Sequence, residues 1–313
     1  MIEKKYLAIS KAIQAYKERK NITETLREIF SETSNTSEII EIVYDLQSGS
    51  YIEYAKNNLP QINAYTKELA QIIDKYTSSD QKLLDVGSGE LTNLTMILNN
   101  LKNVPKQIFA SDISWSRLWT GTSFAKEHCP DFFDRLNFFV ADMLEMPILD
   151  KSIDITISSH SLEPNGGREI EILSELFRIT KRKLLLFEPC YETNSEEGKK
   201  RMEKLGYIRD LDSAIKKLGG KLIEKIEMKN HNGEPLNPTT LFHVQLPSYD
   251  SNFIGKDGET IFSAPGANNK LVKMDNIYFS NTFRLSYPII MGIPILKSES
   301  AIVTTAISSK ESQ

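Results

Sequence analysis

The chain has 313 residues, of which 40% are hydrophobic and 26% charged, and a formal net charge of −4. That apolar content, with only 15 Gly and 12 Pro, excludes collagen-like, low-complexity and disordered classes, and the length suggests about two domains that need no disulfide or metal staple. The balance of 42 acidic against 38 basic side chains disfavours nucleic acid as a partner, because neutralising phosphates calls for a positive excess.

The first region, residues 1–80, reads as a helical cap. Ile2, Tyr6, Ile9, Ile13 and Tyr16 place one apolar stripe on a helix. Asn21 with Glu24 three residues on is a capping signal for a second helix carrying Leu26 and Phe30. Ile39, Ile42, Val43 and Leu46 form a third stripe, the stretch from Tyr44 to Tyr51 breaks the pattern, and a further helix runs from Leu59 to Tyr76. The start of the chain lacks the apolar core of a secretory signal, and no apolar run approaches the ~20 residues of a membrane span. Cys129 and Cys190 sit in no C-x-x-C pair, which fits a reducing compartment, so a cytoplasmic protein without membrane contact is expected.

The second region, residues 81–248, alternates short apolar runs with amphipathic segments. Runs at 82–87, 107–113, 136–142, 153–160 and 183–189 read as buried parallel strands, with helical spacing between them. The expected fold is α/β, a doubly wound Rossmann-like sheet, with ligands beyond the carboxyl ends of its strands. Two late strands, KLIEKIEM and TTLFHVQL, follow. The third region, 249–313, holds turn signals (KDG, APGANN, MDN) between short strands and reads as a small β-rich module whose last residues, SSKESQ, fray.

Three successive strand ends carry chemistry. In Asp85-Val86-Gly87-Ser88-Gly89-Glu90 the glycines allow a sharp turn and close backbone approach, and the Asp85 carboxylate suits a cationic or hydroxyl-bearing ligand while repelling a pyrophosphate. The third glycine of G-x-G-x-x-G and the lysine of a phosphate loop are both missing, which weakens dinucleotide and ATP readings. Asp112 can accept from both hydroxyls of a ribose, although a helix N-cap is an equally plain role for it or for Ser114. Asp142 can accept from an exocyclic amine and Met143 offers an apolar face to a base.

These residues resemble the class I S-adenosylmethionine-dependent methyltransferases. The resemblance covers residues 80–190: the acidic residue and Gly-x-Gly of the first motif, Asp112 as the ribose ligand, Asp142 at the adenine, and IDITISSHSLE as the fourth strand and its loop. One departure is Leu91, which stands where the family often has a third small residue. The resemblance implies a seven-stranded sheet whose last strand runs antiparallel, S-adenosyl-L-methionine as cofactor, and a binding set of Asp85, Gly87, Ser88, Gly89, Asp112, Ile113, Ala141, Asp142, Met143 and Ser158. Aromatic residues ahead of the sheet often close over the cofactor in this family, which points to Tyr44 or Tyr51. The stretch Phe283–Leu296 is similar to the small zinc-ribbon-like proteins that activate certain methyltransferases, but the zinc-binding cysteines are absent.

Methyl transfer is an in-line displacement, so the protein aligns a nucleophile and, where needed, takes its proton. His160, beyond the fourth strand, is the candidate base and Glu163 the second candidate; simple packing or cofactor contact are the plainer roles for both. Cys190 reads as structural, with no partner cysteine for pyrimidine chemistry. No metal is expected. The expected activity is methylation of oxygen or nitrogen on a small-molecule acceptor, such as a sugar precursor or a secondary metabolite. The alternatives are an RNA or protein methyltransferase with an activator-like tail, and a non-catalytic cofactor-binding scaffold recruiting a protein partner through that tail.

Overall fold

The structure is a computed structural model and describes residues 2–247 and 260–307. The turn signal KDG and the terminal SSKESQ lie outside the described residues.

Five helices open the chain: α1 (Ile2–Lys17), α2 (Ile22–Phe30), α3 (Ser37–Leu46), α4 (Ser50–Asn57) and α5 (Leu59–Ile73). Asn21 caps α2 by accepting the Glu24 N–H, and Thr36 caps α3 by accepting that of Ile39. Ala8, Ala12, Leu26, Ile39 and Val43 close the first three helices into a cluster of their own. Helix α4 was hidden in the sequence by the break at 44–51; Gly49, at φ 97°, turns the chain into it. Helix α5 sends Tyr65, Leu69 and Ile73 into the core beneath the sheet.

The sheet follows as β1 (Lys82–Val86), α6 (Thr92–Asn100), β2 (Gln107–Asp112), α7 (Trp115–His128), α8 (Pro130–Phe133), β3 (Leu136–Val140), β4 (Ile153–Ser159), α9 (Glu169–Ile179), β5 (Thr180–Pro189), α10 (Glu196–Leu205), α11 (Leu211–Lys217), β6 (Lys221–Glu227) and β7 (Thr239–Gln245). The strand order is β3-β2-β1-β4-β5-β7-β6, parallel except for β7, which pairs antiparallel with both β5 and β6. This is the Rossmann-like seven-stranded arrangement expected from the sequence. Apolar runs are continuous because both faces are covered: Leu83 enters the cluster that includes α5 and α6, and its neighbour Leu84 the one that includes α9 and α11.

One gap in that cover explains the C-terminal strands. The link from β3 to β4, residues 141–152, contains no helix, so one face of β2 and β3 would stand bare. The module fills it. Its strands are β8 (Val272–Met274), β9 (Ile277–Ser280), β10 (Leu285–Ile290), β11 (Ile293–Pro294) and β12 (Ile302–Val303), in a separate antiparallel sheet. Phe262 packs edge-on against Phe109 of β2 and Phe139 of β3, with centroids 6.2 and 5.1 Å apart. The Leu296 N–H donates to Val140 O at 2.9 Å, so the module also occupies the open edge of β3. Buried Lys297 then reaches Glu41 of α3 at 2.7 Å, tying the module to the helical cap.

Candidate active site

A cavity of about 1070 Å³ lies beyond the carboxyl ends of β1 to β4, roofed by the N-terminal helices. Ligand pockets typically run roughly 300–1,000 Å³, so this one has room for two ligands side by side.

Its floor is the turn after β1. Gly87 has φ 71°, and a Cβ there would fall 2.2 Å from the Ser161 Cβ, so the close crossing of the β1 and β4 turns admits no side chain. Ser161 Oγ donates to Val86 O at 2.6 Å and fastens that crossing. Leu91, at φ 59°, takes the left-handed conformation that a small residue would take more easily; its complete burial among the core residues compensates. Asp112 accepts the Gly89 N–H at 2.8 Å on Oδ2 and the Ser114 N–H at 2.9 Å on Oδ1. The cap of α7 itself is Ser114 Oγ, which accepts the Arg117 N–H. The N-cap role thus falls to Ser114, while Asp112 braces two backbone turns and also lines the cavity. Asp142 lines it too, with Oδ1 accepting the Leu144 N–H, beside Ala141, Met143 and Ile113.

Of the residues singled out in the sequence, Gly87, Ser88, Asp112, Ile113, Ala141, Asp142, Met143, Tyr51, His160 and Glu163 line this cavity. Asp85 and Ser158 do not. They border a small adjoining void beneath the turn, where burial pushes the Asp85 carboxyl up to about 7. Gly89 supplies backbone to the turn without lining the cavity.

The far wall is built around His160. Its backbone is left-handed, φ 53°, and is held there by an N–H bond to Phe187 O and by both ring nitrogens. Such strain in a non-glycine residue persists only where the surroundings enforce it, and it gathers at functional sites. Glu163 Oε2 lies 3.0 Å from His160 Nδ1 and accepts from Asn237 Nδ2 at 2.8 Å; His160 Nε2 lies 2.6 Å from Thr239 Oγ1. The geometry fits an Nδ1–H donating to Glu163 and Nε2 accepting from the threonine hydroxyl. Burial opposes the imidazolium, but the hydrogen bond and charge of Glu163 prevail and raise the His160 pKa above its usual value. Tyr207 stands beside Glu163, its phenol pushed up first by burial and then by that carboxylate. Behind this wall, buried Glu188 accepts the Ser161 and Leu162 N–H groups on Oε1 and leaves Oε2 without a partner; burial pushes its carboxyl up to about 7.

Several lining residues carry no sequence signal. Arg117, from α7, lies over the rings of Tyr51 and Tyr44, 4.4 and 5.1 Å from their centroids. Tyr207, Asn237 and Arg201 come from segments remote in sequence. Only the aromatic cluster of Tyr44, Tyr51 and Tyr54 could have been found beforehand, and the structure places all three on the cavity wall.

The chemistry of these groups suits a nucleoside with a charged tail: carboxylates at the ends of β2 and β3, the apolar Met143 between them, and a glycine turn that lets a ligand approach the main chain.

Residues 84–187 match the family model described as a methyltransferase domain. No curated protein matches the chain. Among solved structures, a chain from the complex of a Haloferax volcanii methyltransferase activator with a methyltransferase is 14% identical, covers 66% of this chain and 98% of its own, and has a TM-score of 0.50. The magnesium protoporphyrin IX methyltransferase of Synechocystis PCC 6803, with bound S-adenosylhomocysteine, is 14% identical over 66% of this chain and 99% of its own, at a TM-score of 0.48. The geranyl diphosphate C-methyltransferase of Streptomyces coelicolor is 12% identical over 57% of this chain and 78% of its own, at 0.44. At 14% identity the first of these likenesses speaks for the fold alone. The match over residues 84–187 is to a methyltransferase domain, whose cofactor is S-adenosylmethionine.

Proposed function

We propose that the chain methylates an oxygen or nitrogen of a small-molecule acceptor. The observation that carries this reading is the roofed cavity: the cap and the turns after β1 to β4 line one half-open cleft large enough for cofactor and a compact acceptor together. The helical roof narrows this cleft, which favours a compact acceptor over an RNA or protein chain.

S-adenosylmethionine supplies an electrophilic methyl carbon on a sulfonium. Asp112 receives the ribose hydroxyls, Asp142 the exocyclic amine of the base, and Met143 packs on the base. Tyr51 and Tyr44 close over the cofactor from the cap. Asp85 and Ser158 act from beneath, by shaping the turns. His160 and Glu163 work as one unit that takes the acceptor's proton as the new bond to carbon forms. Glu163 holds the imidazole in one tautomer, with Nδ1–H toward the carboxylate, so Nε2 is the nitrogen that accepts the proton.

The test is turnover with labelled methyl donor against fractionated metabolites, RNA and protein. Label in a low-molecular-weight product supports the proposal. Label only in RNA or protein would replace it with the activator-tailed alternative, and no label in any fraction alongside tight cofactor binding would favour a scaffold.

A further inference from the structure

Two arginines on the cavity wall keep buried guanidinium nitrogens without an acceptor. Each carboxylate on its wall already has protein partners: Glu90 takes the N–H groups of Gly49 and Ile52, Asp112 those of Gly89 and Ser114, Asp142 that of Leu144, and Glu163 the donors of His160 and Asn237. The guanidinium groups are paired less completely. Arg117 is only 8% exposed, yet among the described residues its side chain makes no hydrogen bond, its Nε is buried without a partner, and the nearest carboxylate oxygen, on Glu90, is 3.9 Å away. Arg201 has Nη1 buried without a partner, and its Nη2 stands 3.8 Å from the half-exposed Glu234, a pairing of little strength.

A guanidinium nitrogen buried without an acceptor is costly, and an incoming oxyanion would complete it. S-adenosylmethionine brings one carboxylate, and its sulfonium adds a further positive charge. One carboxylate serves one guanidinium. Arg117 packs over Gly89 in the cofactor turn, its Nη2 2.4 Å from where a Cβ would stand. Arg201 lies at the other wall, its guanidinium 5.5 Å from the ring of Tyr207, which stands beside Glu163. Arg19 and Lys20 also line the cavity.

We propose that the acceptor is an organic anion whose carboxylate or phosphate is bound by Arg201, with its body against Tyr207 and its methylated atom toward His160 and Glu163. The planar fork of arginine matches either oxyanion through two parallel N–H···O bonds. The inference rests on the methyl-transfer reading and narrows its substrate class.

The test uses the full chain saturated with S-adenosylhomocysteine and titrates benzoate, phenyl phosphate and the neutral benzyl alcohol by calorimetry. The expected result is that at least one anion binds and the alcohol does not. Which anion binds distinguishes carboxylate from phosphate. Arg201→Met should weaken that binding at least tenfold while the affinity for S-adenosylhomocysteine stays within twofold. Arg201→Lys, a point charge in place of the fork, should fall between the two and serves if the methionine variant does not fold. The proposal is overturned if neither anion binds the wild type, if the alcohol binds as well as the anions, or if the variants bind like the wild type. Failure of S-adenosylhomocysteine itself to bind would instead overturn the methyl-transfer reading.

Discussion

The carboxylate of Glu90 accepts the backbone N–H of Ile52 at 2.8 Å and, with its other oxygen, that of Gly49 at 2.9 Å. Glu90 belongs to the glycine turn after β1 that lines the cavity, and the two N–H groups are donors at the start of α4. The reverse bond exists as well: Asp45, at the end of α3, accepts from Ser114 Oγ and Ser116 Oγ at the start of α7. Each layer therefore caps a helix of the other, and the roof is latched to the floor by the residues that form the site.

The latch makes a first prediction. Glu90→Ala leaves two helix-end donors without an acceptor and should cost about 1–2 kcal/mol. Hydrogen exchange should speed up in α4 before it does in the sheet, and cofactor affinity should fall because Tyr51 rides on that helix. Unchanged exchange in residues 50–57 would show that the cap is held by its apolar contacts alone.

Asp112 braces two backbone turns, and the proposed ribose contact separates from that role by substitution. Asp112→Asn keeps one oxygen for a backbone N–H but loses the charge. We expect at least a tenfold loss in S-adenosylhomocysteine affinity by calorimetry, larger than the same substitution causes at Asp154, whose carboxylate serves Lys82 N–H and Lys181 remote from the cavity. Equal affinity in wild type and Asp112→Asn would remove the ribose assignment.

The His160–Glu163 pair predicts a pH profile. Glu163 raises the histidine pKa, so the base is lost to protonation at a higher pH than for a free imidazole. The acidic limb of kcat should therefore lie above pH 6.5 in the wild type and move to lower pH in Glu163→Gln, where burial dominates. His160→Gln should lower turnover by about 10²–10⁴-fold, the usual span for a general base, with cofactor affinity unchanged. A limb that stays in place in Glu163→Gln would separate the two residues functionally.

Glu188 predicts a stability profile of defined sign. Its folded-state pKa is raised from 4.5 to about 7, so the folded protein keeps a proton that the unfolded chain releases. The contribution is complete below about pH 4.5 and is lost as pH rises through 7; Asp85, raised to about 7, acts in the same window. For a shift of this size the loss is on the order of 3 kcal/mol. Glu188→Gln keeps an oxygen for the Ser161 and Leu162 N–H groups and abolishes the titration. Urea melts at pH 5 and pH 8 should differ less in the variant than in the wild type, and an equal difference would contradict the burial argument.

Phe262 anchors the C-terminal module between Phe109, Phe139 and Tyr278. Phe262→Ala should cost about 3–5 kcal/mol, and removal of residues 260–307 should expose the face of β2 and β3 and abolish cooperative melting. A shortened chain that melts like the full protein would make the module an independent appendage.

Much of the site was legible because its signals are local. A glycine turn after an apolar run, and Asp112 and Asp142 at the next two strand ends, are read directly from adjacent residues, and alternation of strand and helix places them along one edge of a sheet. The Tyr51 assignment came from the aromatic cluster ahead of the sheet. Arg117 was missed because its position inside α7 marks it as an ordinary amphipathic residue; only the packing of α3 and α4 over α7 turns it into the cavity. Arg201, on α10, and Asn237, in the link between β6 and β7, were missed because they meet the His160 wall only in the fold, and no spacing rule relates residues 160, 201 and 237.

The sequence by itself determined the order of elements, the parallel strands of the sheet and the strand ends that border the cavity, because apolar periodicity and turn chemistry act over a few residues. Tertiary structure alone decided how the roof is fastened, which charges are left without partners, and why the chain carries its C-terminal strands. The missing helix between β3 and β4 shows in the sequence only as a loop. That this loop leaves an apolar face uncovered, and that Phe262 is what covers it, follows from burial across some 120 residues of chain, where the free energy of packing depends on what meets in space and not on what is adjacent in sequence.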